Sequence, residues 1–148
     1  MSEEITTLES APPVTAKKKI KVVVSDLHLG KGRLLPNGGV NSLEEFYYTD
    51  KLVEFIHYYT SGVFREHEVE LVINGDFLNF LQVDYHGHFL TVLTESVCLG
   101  ILESIIGGHQ KVFRALSEFI AKPGNSITYI VGNHDQAMLW PACRERLN

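Results

Sequence analysis

The chain reads as an α/β protein built on a mainly parallel βαβαβ sheet, on three observations. Three short runs rich in β-branched residues, 20–25, 69–74 and 127–131, read as buried strands. Segments with helical spacing of apolar residues lie between them. Each run opens directly into a loop carrying Asp, Asn or His, as at the carboxyl ends of parallel strands, where ligands bind.

Residues 1–18 read as a flexible tail, because Met1–Ala16 holds three glutamates, two prolines and several Ser and Thr and no apolar leader segment. The domain then occupies 19–148. Its first strand, Ile20–Ser25, passes into a loop from Asp26 to Asn41 that contains Gly30, Gly32, Pro36, Gly38 and Gly39, too many backbone breakers for regular structure. Ser42-Leu43-Glu44-Glu45 has the spacing of a capping box and predicts a helix from there to Thr60. Phe46, Leu52, Val53, Phe55, Ile56 and Tyr59 would form its apolar face. Val69–Asn74 is the second strand. Leu90–Ala121 reads as two helices broken at Gly107-Gly108, Pro123-Gly124-Asn125 as a turn, and Ile127–Val131 as the third strand.

At 148 residues there is room for one domain with a core, and 45% hydrophobic with 21% charged residues is the balance of a globular protein. A net charge of -5, with Lys17-Lys18-Lys19-Ile20-Lys21 as the one basic run, argues against a strong grip on nucleic acid. Cys98 and Cys143 form no CxxC pair, so the expectation is a reduced, cytoplasmic protein. No apolar run approaches the roughly 20 residues that span a bilayer.

The chemistry lies in the three loops. Asp26 and His28 are two apart in what reads as extended chain, so a carboxylate and an imidazole would point the same way and close on one ion. Gly75 lets the chain turn and leaves Asp76 at the mouth of the second strand, with two oxygens, enough to bridge two cations. After the third strand, Asn133 offers an amide oxygen to a metal, His134 suits proton transfer, and Asp135 could orient His134. Taken singly, each motif is a common turn or cap. Their value is in convergence.

In this order, Asp-x-His, Gly-Asp and Gly-Asn-His-Asp, each directly after a strand, the motifs strongly resemble the calcineurin-like metallophosphoesterase superfamily. The resemblance covers Lys19 to Met138 and implies an α/β/β/α sandwich, of which this chain would be the N-terminal part. It implies a hydrolase of phosphomonoester, phosphodiester or pyrophosphate bonds, acting on a phosphorylated small molecule or nucleotide-type substrate through a hydroxide bridging two divalent metals. Asp26 and His28 would bind the first metal, Asp76 both, and Asn133 the second. His134 would be the catalytic histidine and Asp135 its orienting partner. The ligand types suit Mn first, with Fe, Zn or Co possible. The Asp-Leu-His-Leu-Gly start is also similar to that of bacterial hydrolases of UDP-diacylglucosamine, although that branch typically has Arg in the place of His134.

Two departures stand out. Asn79 occupies the last position of the family's Gly-Asp-x-x-Asp, so a supporting role there is expected to be altered or absent. No Gly-His-x-His element follows Asp135, so the C-terminal part of the domain is expected to be missing. His86-Gly87-His88 precedes the third strand, in the wrong order to replace it; His109 reads as structural or capping, His57 and His67 as surface residues. Lys31 and Arg33, in the variable loop 31–40, are candidate phosphate contacts. The alternative function is a non-catalytic interaction scaffold with a degenerate metallophosphoesterase fold, and the two differ in whether a Gly-His-x-His follows in the gene. A nucleotide-binding domain is disfavoured, since no Gly-x-Gly-x-x-Gly or Walker-type loop follows a strand.

Overall fold

The computed structural model describes residues 17–35 and 37–148, so most of the expected tail, up to residue 16, and Pro36 lie outside the described residues. Strand β1 spans Lys19–Val24, β2 Glu68–Asn74 and β3 Ser126–Ile130, each within one residue of its expected position. They form one sheet in the order β1-β2-β3, parallel throughout, with Val23 beside Val72 and Val72 beside Thr128. The α/β expectation with a parallel sheet holds. Among the described residues there is this one sheet, and the second sheet of a sandwich is not among them.

Adding parallel strands in one direction with right-handed crossovers returns every connection over the same face. Burial agrees. Val22, Val69, Leu71 and Ile73 are buried with residues of helices α1 (Thr49–Tyr58), α2 (Glu95–Gly108) and α3 (Gln110–Ala121), among them Leu52, Ile56, Leu102, Val112 and Phe119. Each such side chain contributes roughly 1.5–3 kcal/mol by leaving water. The opposite face carries Lys21, Val23, Glu70, Thr128 and Ile130, and Val23 is 61% exposed. A short helix α4, Pro141–Leu147, which the sequence pattern did not announce, packs on α2 and buries Cys143. Proline at its start is compatible with the first turn, where no N–H partner is needed.

Two expectations are corrected. Helix α1 starts at Thr49 rather than in Ser42–Glu45, and the capping box does not form. Glu44 is buried, and its carboxylate accepts from the N–H groups of Gly30, Gly32 and Phe46. Glu45, the glutamate of the box, accepts instead from Asn79 Nδ2 and Gln82 Nε2, so contacts between loops override the local signal. The break between α2 and α3 falls at His109, one residue beyond the expected glycine pair. Gly108 is the last residue of α2, and the backbone of the first loop lies so close that a Cβ there would come 2.2 Å from the carbonyl oxygen of Lys31.

Candidate metal centre

The first two loops continue the pairing of their strands by single backbone bonds. Asp26 N donates to Gly75 O (3.2 Å), His28 N to Asp76 O (2.9 Å), Leu29 N to Phe77 O (2.8 Å) and Asn79 N to Leu29 O (2.9 Å). This laces the Asp-x-His loop to the Gly-Asp loop. Asp26, His28 and Asp76 all adopt left-handed backbone, with φ of 55°, 52° and 51°. A non-glycine residue pays about 1–2 kcal/mol for that conformation, and such strain gathers at functional sites. The expectation of an extended Asp-x-His stretch is thus corrected: left-handed turns, not strand alternation, bring the two side chains together.

One ligand atom from each of Asp26, His28 and Asp76 lies within 4.8 Å of the others, and among the described residues these form the one group of His, Cys, Asp or Glu able to hold a metal ion. Two carboxylates and an imidazole suit a hard or borderline divalent cation. The Nδ1 atom of His28 is buried without a hydrogen-bond partner, so the fold does not itself absorb that ring.

The third loop docks on Asp76. Gly132 lies so close that a Cβ would come 2.2 Å from Asp76 Oδ1 and 2.6 Å from Asp76 N, and only glycine permits this approach. His134 N donates to Asp76 Oδ1 (2.9 Å). Asn133 lies between these two residues in the chain and is exposed. The His134 ring stands edge-on to that of His28, with centroids 4.4 Å apart.

Asp135 is corrected from an orienting partner to a brace. It is fully buried, and its oxygens accept from Gly132 N (2.6 Å), Phe77 N (2.9 Å) and the Tyr129 hydroxyl (2.5 Å). These bonds tie the second and third loops together. Burial first, and then the Asp135 carboxylate, hold the Tyr129 phenol far above its ordinary pKa, so it stays a donor.

The His134 ring has a polar partner in Asn79, whose Oδ1 lies 3.2 Å from Nδ1. Its Nδ2 faces Glu45 Oε2 at 3.4 Å, and a carboxylate only accepts, which fixes the amide with its oxygen toward the histidine. That oxygen also only accepts, so Nδ1 carries the proton. The supporting position expected to be altered or absent is filled by a neutral amide, and the spacing Gly-Asp-x-x-Asn was its one sequence signal.

Both candidate phosphate contacts are engaged elsewhere. Lys31 pairs with Asp84, holding that carboxyl below its ordinary pKa, and Arg33 stands over the Tyr47 ring at 5.3 Å. His86 and His88 are exposed in a turn closed by Tyr85 and His88, apart from the cluster. His57 is exposed; His67 is only half-buried.

No family model matches the chain, and no curated protein and no solved structure matches it either. Among the described residues no helix is long and apolar enough to cross a membrane.

Proposed function

We propose that this chain belongs to a binuclear metallophosphoesterase, a hydrolase of phosphomonoester, phosphodiester or pyrophosphate bonds. The observation that carries the reading is the meeting of Asp26, His28 and Asp76, each in strained backbone, at the tips of adjacent parallel strands. These three residues would hold a first divalent cation, with Mn the first choice. Asp76 would be shared with a second cation, to which Asn133 would add its amide oxygen. When bound, the cations supply Lewis acidity, making a water nucleophilic near neutral pH and neutralising phosphoryl oxygens.

The chain's own residues do the rest. Asp76 is fixed by its bond from His134 N, so the cluster and the histidine are held in register. With Nδ1 of His134 engaged by Asn79, Nε2 is the nitrogen left to meet a leaving oxygen, and it would give that oxygen a proton from the doubly protonated ring, which returns to the Nδ1–H tautomer. Proton transfer of that kind contributes about 10²–10⁴-fold. The substrate is a phosphorylated small molecule or nucleotide-type compound. Free, buried Cys98 and Cys143 suit a reducing cytoplasm.

The test is hydrolysis of bis-p-nitrophenyl phosphate with and without Mn²⁺. Turnover that requires the metal and vanishes in D76A is expected. Metal-independent turnover, or an undiminished rate in D76A, would overturn the reading.

A further inference from the structure

We propose that Glu44 is a positioning residue for the metal centre, its carboxylate setting the shape of the loop that carries His28. The proposal rests on the reading above to the extent that a cation binds at Asp26, His28 and Asp76. Glu44 is 1% exposed, and a carboxylate removed from water is costly unless its oxygens are well partnered. Its partners lie largely in that loop. Oε1 accepts from Gly30 N (3.1 Å) and Phe46 N (3.1 Å), and Oε2 accepts from Gly32 N (2.6 Å).

These bonds follow directly on those to the loop after β2. The N–H groups of His28 and Leu29 are held by that loop, and those of Gly30 and Gly32 by Glu44. Gly30 allows the approach, since a Cβ there would stand 2.8 Å from Glu44 Oε2. His28 is thus clamped on both sides while in a left-handed conformation that it would not keep unaided.

The far side of Glu44 is anchored in the helical layer. His109, buried at the junction of α2 and α3, places Nε2 3.3 Å from Glu44 Oε1, within ion-pair distance though off the line of a hydrogen bond, and its Nδ1 lies 3.4 Å from Thr49 Oγ1. Asn41 adds a bond from Nδ2 to Gly32 O (3.0 Å). The metal loop is therefore braced against elements that contribute no metal ligand.

Both Glu44 oxygens accept, and an amide of the same size accepts on one side only. Glu44→Gln would set an NH₂ against a backbone N–H, loosening the loop with almost no change of volume. Supporting groups around metal ligands are typically worth about 10–100-fold in metal affinity.

The experiment is a Mn²⁺ titration of the protein followed by electron paramagnetic resonance, run for wild type, E44Q, E44D and the control F119L. F119L trims the buried Phe119 of α3, away from the loop, and reports general destabilisation. A drop of about 10-fold or more in Mn²⁺ affinity is expected for folded E44Q, a smaller drop for E44D, and none for F119L. If E44Q does not fold, E44D carries the comparison. Amide hydrogen exchange of the wild type gives a variant-free reading: metal loading must raise protection at Gly30 and Gly32 above that of the helices, because coupling is reciprocal. Wild-type affinity in E44Q or E44D, an equal loss in F119L, or unchanged protection at Gly30 and Gly32 overturns the proposal alone. No Mn²⁺ uptake by the wild type overturns the phosphoesterase reading and this proposal with it.

Discussion

At the scale of single residues, Asp135, expected to orient His134, braces the loops, and Asn79, where a supporting role was expected to be altered or absent, lies against the His134 ring. Asp135 sits next to His134 in the chain, yet its carboxylate is consumed by Gly132, Phe77 and Tyr129. D135A would strand several buried donors at about 1–3 kcal/mol each, so it should lower the thermal midpoint sharply. A D135A protein as stable as wild type would refute the bracing role. Asn79 should behave in the opposite way. N79A removes the contact at His134 Nδ1, and kcat for a phosphodiester should fall about 10-fold or more with KM little changed; an unaltered kcat would show that the contact is idle. Side-chain chemistry told which residues can bind a cation or carry a proton, and Asp26, His28 and Asp76 do meet. Which neighbour holds which ring depends on packing between loops remote in sequence, and no spacing rule contains it.

At the scale of elements, strands were easy and loop-borne helix starts were not. A β-branched run buried on one face announces itself, and all three strands fell within one residue of expectation. Ser42–Glu45 has the spacing of a helix start, but Glu45 accepts from Asn79 and Gln82 while the buried Glu44 serves the first loop, and tertiary demand wins. Glycines divide in the same manner. Gly107-Gly108 looked like a break and proved, at Gly108, to be a contact with the first loop. Gly132 is the stricter case, since any side chain there meets Asp76. G132A should push the third loop off the second and lower Mn²⁺ affinity and hydrolysis together by about 10-fold or more. Equal metal affinity in G132A, measured by the same titration, would mean that the loops are not docked as described.

At the scale of the whole molecule, one layer of helices covers one face of a three-stranded sheet, and every candidate ligand follows a strand at its carboxyl end. The expected parallel order makes that convergence legible in the sequence. The brace from the helical layer through His109 and Glu44 was not, because it joins residues 44 and 109 through burial alone. Its signature is acid sensitivity. Burial pushes the Glu44 carboxyl up, but His109 and the N–H groups of Gly30 and Gly32 more than offset this, and its pKa lies below the ordinary 4.5. A lowered carboxyl pKa contributes stability that is complete above the ordinary value and disappears as pH falls through the folded one. Urea unfolding should therefore show a steady gap between wild type and E44Q from about pH 6 to 8 that narrows in acid. A gap that widens in acid would contradict the assignment.

The most direct trial of the central claim is anomalous X-ray scattering at the manganese edge from a crystal soaked in Mn²⁺. A peak in contact with Asp26, His28 and Asp76, absent from D76A crystals, is the result this account predicts. Full soaking with no peak among those three residues, or a peak that persists in D76A, would contradict it.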